Sequence, residues 1–209
     1  DLKGKHFHSL FQFQLMGING AFLTGDLFNL FVFFEVLLIA SYGLMVHGGG
    51  VDRIRAGIQY IIINLVGSAF FLIAAGLIYS VVGTLNMADL AVKVSEVAAG
   101  DKAILNTGAI LLLLVFSIKS ALVPLHFWLP ATYTNAPAPV AALFALLSKV
   151  GVYCILRVYI LIFPDVVSNW VLYGALVTLV VAVLGVLAAK TLGQMISFYM
   201  ISSIGTLLI

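Results

Sequence analysis

Apolar residues run along this chain in blocks of about twenty, separated by short polar or glycine-bearing joints, and a hydrocarbon core about 30 Å thick takes roughly that many residues as helix. The pattern predicts seven such segments. The first runs from about Phe7 to Leu23, and Thr24-Gly25-Asp26 leads into the second, from about Leu27 to Val46. His47 and the glycines 48–50 end that helix, and Arg53 and Arg55 precede a third segment, about Ala56 to Val82. A polar connection from Gly83 to Lys102 follows, in which MADLAVKVSEVAA alternates enough to predict a short interfacial helix. The fourth segment, about Ala103 to Leu122, runs into the proline-bearing VPLHFWLP. The fifth begins near Pro139 and ends around Phe163, the sixth covers about Val166 to Ala189, and the seventh starts after Thr191.

Three ionisable side chains interrupt the apolar blocks: Glu35 in FNLFVFFEVLLIAS, Lys119 in ILLLLVFSIKSALVPLHFWLP, and Lys149 in APVAALFALLSKVGVYCIL. A charge near the bilayer midplane costs roughly 2.5 to 3.5 kcal/mol on insertion scales, so such residues pair with one another or face a hydrated path. Glu35 lies about nine residues into its segment, roughly 14 Å at 1.5 Å per residue, too deep for a short side chain to reach the interface. It is read either as a proton-carrying group or as the structural counter-ion of a lysine. Lys119 is nearer the end of its segment, where its long stem could also snorkel toward the interface. Lys149 is some ten residues from either end, which makes it the strongest candidate for a proton-carrying switch.

The fourth segment carries prolines next to its charge. Pro124 has no amide hydrogen and clashes with the carbonyl of Ser120, so a kink or break is expected one residue past Lys119. Pro130 is expected to do the same at the carbonyl of His126. Non-helical backbone at membrane depth survives only where protein or water shelters it, and broken helices commonly mark ion sites in transporters. His126 can relay protons, or, beside Trp128, simply anchor a helix end. His6, His8 and His47 lie near segment ends and read as solvated or interfacial, whereas Asn64, Gln59 and Ser68 read as hydrogen bonds between helices.

Composition agrees with this reading. The chain is 63% hydrophobic and 9% charged, with a mean hydropathy of +1.20, against about 25% charged in ordinary soluble domains. The expectation is an all-α, polytopic transmembrane helix bundle with a proline-broken helix, forming one membrane domain over residues 1–209. Its +2 formal charge is scattered, which gives no nucleic-acid surface. Lys3, Lys5, Arg53, Arg55 and Lys190 fall on one side of the segments, and Lys93, Lys102 and Arg157 on the other, so the first side is read as cytoplasmic. Cys154 is alone in an apolar run, with no disulfide or metal-ligand companion. No dinucleotide fingerprint, phosphate loop or cysteine cluster is present, so no cofactor, metal or catalytic residue is expected. The start at Asp1 and the end inside MISFYMISSIGTLLI are read as those of a piece of a longer protein.

The segment DLFNLFVFFEVLLIASYGLMVHGG, followed by KSALVPLHFWLPATYTNAPAPVAALFALLSKVGVYCILRVY, resembles the proton-translocating membrane subunits shared by respiratory complex I and the Mrp-type multisubunit cation/proton antiporters, and within the latter those of the D type. The resemblance extends over essentially the whole chain. It implies about the fourth to the tenth helices of a fourteen-helix protein built on two inverted five-helix repeats, each with a broken helix. It also implies roles: Glu35 as acidic partner, Lys119 as the paired lysine on the broken helix, Lys149 as the central lysine, and His126 as the histidine of a proline-histidine-tryptophan region. Lys190 falls near the start of the following helix, with no assigned role.

On those assignments a Glu35–Lys119 ion pair holds the proton on Lys119, and loosening it lets the proton move on or alters Lys149. Coupling at 4 Å is on the order of 4 kcal/mol at an effective dielectric of 20, enough to switch a site. The function implied is that of a proton-translocating subunit of a multisubunit Na+/H+ antiporter, a transporter component rather than an enzyme. Its implied partners are other membrane subunits, H+, Na+ and the lipid of a bacterial inner membrane. The alternative is an antiporter-like subunit of NADH:quinone oxidoreductase or of a membrane-bound hydrogenase. A membrane scaffold whose charges only fix helix packing is the third class.

Overall fold

A computed structural model describes residues 6–209, with the backbone alone described at 165, 167 and 168. Among these the regular elements are helices: α1 (Phe7–Leu23), α2 (Leu27–Val46), α3 (Val51–Val82), α4 (Met87–Lys93), α5 (Lys102–Ser120), α6 (Trp128–Asn135), α7 (Ala138–Leu161), α8 (Pro164–Ala188) and α9 (Leu192–Leu208), with a 3-10 turn at Val94–Glu96. The seven expected segments are helical as α1, α2, α3, α5 with α6, α7, α8 and α9. Helices α2, α3, α5, α7 and the Asn169–Ala188 part of α8 are long and apolar enough to cross a membrane. At 17 residues each, α1 and α9 extend about 26 Å. The expected interfacial helix is shorter than its sequence pattern, since α4 gives way to the 3-10 turn after seven residues.

Local chemistry sets the ends. The Asp26 carboxylate accepts from the Asn29 amide at the start of α2 (2.9 Å), and the Thr191 hydroxyl caps α9 at Gln194 (3.2 Å). Gly83 terminates α3 at φ 76°, a left-handed conformation that glycine adopts without a Cβ penalty. The joints pair across the bundle: the Leu27 amide donates to the Leu85 carbonyl (2.9 Å) and the Met87 amide to Gly25 (2.8 Å), which places the α1–α2 and α3–α4 joints on one face. On the opposite face Arg53 donates to the carbonyls of His47 (2.7 Å) and Asn135 (2.9 Å), at the C-terminal ends of α2 and α6. A cation suits that position, because the last carbonyls of a helix have no partners within it. Lys3 and Lys5, expected on this same side, lie outside the described residues.

Packing is tightest where glycines let backbones approach. A Cβ at Gly17 of α1 would meet the Leu37 backbone nitrogen at 2.7 Å, and one at Gly151 of α7 would meet the Ser120 nitrogen at 2.7 Å. Phe34, Phe71 and Phe116 form an aromatic core between α2, α3 and α5, with centroids 5.6 to 6.5 Å apart. The outer face of α8 is open: Trp170 is 76% exposed and Leu187 78%. Such a face suits acyl chains, which are as apolar as leucine.

Candidate functional site

The break in the fourth segment organises the site. Helix α5 ends at Ser120, and Ala121 turns left-handed at φ 59°. Residues 121–127 then cross to α6, with Pro124 among them. The loosened backbone groups find partners in the protein, as membrane depth requires. The Leu122 amide donates to the Ser117 carbonyl (3.0 Å) and the Leu125 amide to Leu122 (2.7 Å). The Val123 amide donates to the Thr178 hydroxyl of α8 (3.1 Å), and the Trp128 indole N–H donates to the Ile118 carbonyl (3.1 Å). The Trp128 indole thus takes up the Ile118 carbonyl, next to Lys119 in the chain. Pro130 does not interrupt a helix. It sits in the first turn of α6, where an amide needs no acceptor, and the His126 carbonyl accepts from Leu129 (3.0 Å).

Lys119, at the end of α5, is 4% exposed and does not snorkel. Its Nζ donates to the Asn64 carbonyl (3.2 Å), the Asn64 side-chain oxygen (3.4 Å) and the Ser68 hydroxyl (3.3 Å), all on α3, and lies 5.7 Å from the centroid of the Phe34 ring. The Ser68 hydroxyl in turn donates to Glu35 Oε1 on α2. Glu35 and Lys119 thus meet through Ser68 and not as the direct ion pair the sequence suggested. Among the described residues the ion pair within hydrogen-bonding reach is Lys93–Asp89 (2.8 Å), on the surface of α4. There the neighbouring ammonium holds the Asp89 carboxyl below its ordinary range. A serine between opposite charges keeps them coupled while giving each a neutral neighbour. Opposite charges one hydroxyl apart, ~5 Å in general, still attract by on the order of 3 kcal/mol at an effective dielectric of 20.

Lys149 occupies a separate setting. It is eleven residues past the start of α7 and twelve before its end, about 17 Å from each. Its Nζ donates to the Ser203 hydroxyl of α9 at 2.6 Å and lies 4.0 Å from the Met200 sulfur. Lys149 and Lys119 share no hydrogen-bond partner; what joins them is backbone, since Gly151 of α7 packs against Lys119 and Ser120. His126 lies in the break, with its Nδ1 buried and without a hydrogen-bond partner among the described residues. Lys190 is exposed in the α8–α9 joint. The residues that sequence reasoning passed over are Ser68 and Asn64, which it treated as ordinary interhelical polar groups, and Ser203. The signal that could have found Ser68 is its spacing of four from Asn64, which puts both on one stripe of α3.

The arrangement gathers an amine, two polar side chains of α3 and a carboxylate into one hydrogen-bonded group beside the break, with a second amine on α7 bonded to a hydroxyl of α9. Among the described residues no cluster of three histidine, cysteine or acidic side chains could hold a metal ion.

Residues 24–209 match the family model described as NADH:quinone oxidoreductase/Mrp antiporter, transmembrane. The D component of a probable K(+)/H(+) antiporter of Rhizobium meliloti is 47% identical over 98% of this chain and 39% of its own length. The D component of the Na(+)/H(+) antiporter of Alkalihalophilus pseudofirmus is 47% identical over 96% of this chain and 41% of its own length. The chain thus spans about two fifths of the curated relatives it matches. Among solved structures, a chain of the Mrp complex from Dietzia sp. superposes with a TM-score of 0.87 at 37% identity, covering 95% of this chain and 38% of that one.

Proposed function

Because this chain belongs to the NADH:quinone oxidoreductase/Mrp antiporter transmembrane family, we propose that it serves as a proton-translocating, D-type component of a multisubunit monovalent cation/proton antiporter in a bacterial plasma membrane. The observation that carries this reading is Lys119: a lysine 4% exposed, placed at a helix break and tied through one serine to Glu35. A group whose only task was packing would gain nothing from a broken helix beside it, since each freed backbone group then needs a partner of its own. The relatives are named as components of K(+)/H(+) and Na(+)/H(+) antiporters, which supports H+ and a monovalent cation, Na+ in the first instance, as the transported ions. Their naming as subunits supports other membrane subunits as partners and a transporter component rather than an enzyme.

In the proposed cycle the Lys119 proton is held while Ser68 links the amine to Glu35. Rotation of the Ser68 hydroxyl away from Glu35, or withdrawal of either charge, weakens that hold. The proton then passes through side chains and water, and the changed charge at the break is felt at Lys149 on the adjoining helix. Lys149 has a hydroxyl and a thioether around its amine and no acidic contact among the described residues, so its charge is free to respond. A redox-driven complex is the second reading, favoured by the quinone oxidoreductase half of the family description. Neighbouring genes for iron–sulfur or quinone-site subunits would select it.

The test is Lys149→Ala in the complete complex, reconstituted in vesicles. Cation-dependent proton flux is expected to disappear while assembly persists. Normal flux in an assembled variant refutes the central role of Lys149.

A further inference from the structure

The site as described connects Lys119 toward Glu35. A second set of polar groups approaches the same amine from another side. The Ser41 and Tyr60 hydroxyls are 2.7 Å apart, and both residues are at most 1% exposed. Ser41 also reaches the Leu38 carbonyl (2.7 Å), so its proton has an acceptor there and Tyr60 is the donor between the two hydroxyls. The Tyr60 ring is fixed by Tyr42, Trp128 and Phe144, with centroids 5.4 to 5.7 Å away. Between Tyr60 and Lys119 lies a cavity of about 10 Å³ whose lining includes Tyr60, Asn64, Lys119 and Trp128, closed by apolar side chains such as Phe34 and Leu147. That volume is about what one water needs, and a buried water needs two to four polar partners. The Asn64 amide group is turned so that its N–H donates to the Tyr60 carbonyl (2.9 Å), leaving its oxygen toward Lys119. Tyr42, whose hydroxyl is buried and has no hydrogen-bond partner among the described residues, packs edge-on against the Tyr60 ring at 5.5 Å.

We propose that this cavity is a one-water site and that Tyr60, with Ser41, is a hydroxyl relay by which Lys119 exchanges protons without passing through Ser68. It rests on the proton-carrying role given to Lys119 above. In each transfer one bond to hydrogen breaks and another forms. The Lys119 ammonium gives a proton to the water, the water gives one to the Tyr60 oxygen, and Tyr60 gives its own to Ser41, along the donor direction the two hydroxyls already have. Ser41 turns from the Leu38 carbonyl and gives its own to a second water. One proton leaves the amine, the first water and both hydroxyl oxygens end with the hydrogens they began with, and nothing is oxidised. The relay gives the amine two doors, one hydrogen-bonded to a carboxylate and one to a neutral chain.

Tyr60→Phe keeps the ring and its stacking and removes only the oxygen. Ser41→Ala removes the inner acceptor and leaves the ring untouched. The assay is proton flux in vesicles holding the complete complex, with the cation KM and the ratio of rates in H2O and D2O as second readouts. In Tyr60→Phe, flux is expected to fall about ten-fold or more with the cation KM unchanged and the isotope ratio altered, and Ser41→Ala to fall in the same direction. Wild-type flux and isotope ratio in Tyr60→Phe overturn the relay, as does a flux loss matched by a loss of assembled complex in both variants. Lys119→Ala, run alongside, separates the two ideas: its loss of flux with a normal Tyr60→Phe rejects the relay alone, whereas its normal flux rejects the role of the lysine itself.

Discussion

Ser68→Ala is the sharpest probe of the site, because one hydroxyl carries the link between Glu35 and Lys119. The side chain donates to Glu35 and accepts from Lys119 at 3.3 Å. Its removal leaves Lys119 with both Asn64 contacts, at 3.2 and 3.4 Å. Glu35 loses the hydrogen bond that the structure gives it, so the damage falls mainly on the carboxylate. A hydrogen bond to a charged group contributes about 1.5 to 3 kcal/mol, and 1.4 kcal/mol is a factor of ten in an equilibrium constant. Proton flux in vesicles with the complete complex is therefore expected to fall by roughly ten-fold to a hundred-fold in Ser68→Ala, and to be largely retained in Ser68→Thr, which keeps a hydroxyl. The decisive measurement is the double-mutant cycle with Glu35→Gln. If both residues act through one bond, the double variant is little worse than the poorer single one, a non-additivity on the order of 1.5 kcal/mol. Effects that multiply independently would show that Ser68 does not connect the two charges.

Two further outcomes follow from the packing around the break. Gly151→Ala puts a Cβ within 2.7 to 3.0 Å of the Lys119 and Ser120 backbone; backbone cannot rotate away, so overpacking of about 1 to 3 kcal/mol is expected, seen as a lower temperature of irreversible inactivation together with reduced flux, and unchanged values would refute the close approach. Arg53→Ala removes the donor shared by the His47 and Asn135 carbonyls. Because the side chain is half-buried and water can replace it, a loss of about 1 kcal/mol is expected, a few degrees in the same thermal assay, with Arg53→Lys intermediate.

The helices were legible because the apolar blocks are long and their joints carry strong signals: Thr24-Gly25-Asp26, the glycines at 48–50 and 83, Pro139 and Thr191. The break past Lys119 was legible for the same local reason, since Pro124 forbids a continuous helix there. Pro130 misled because proline has two meanings, a breaker inside a helix and a starter in its first turn. Which applies depends on where the new helix begins, a matter settled by the Trp128 indole reaching back ten residues to Ile118. The serine bridge was illegible for a different reason. Ser68 is 33 residues from Glu35 and 51 from Lys119, so only the packing of α3 between α2 and α5 gives it a part, and a lone serine in an apolar helix carries no mark of that. Ser203, 54 residues from Lys149, is the same case.

The two lysines differ in what surrounds them, and the difference bears on how one could answer the other. Lys119 is packed against α3 and hydrogen-bonded to a serine that donates to Glu35. Lys149 faces α9, where a serine and a methionine leave its charge unopposed among the described residues. They share no side-chain contact, so influence between them travels through the field or through the backbone. The field always acts, and between like charges it disfavours both being protonated. The backbone route is specific to this packing: Gly151 lies two residues from Lys149 and rests on the peptide joining Lys119 to Ser120. Because no side chain intervenes, that contact has little slack, and a shift of the α5 end is carried into α7 rather than absorbed by a rotamer change. The glycine at that position sets the end of α5 directly against α7, two residues from Lys149.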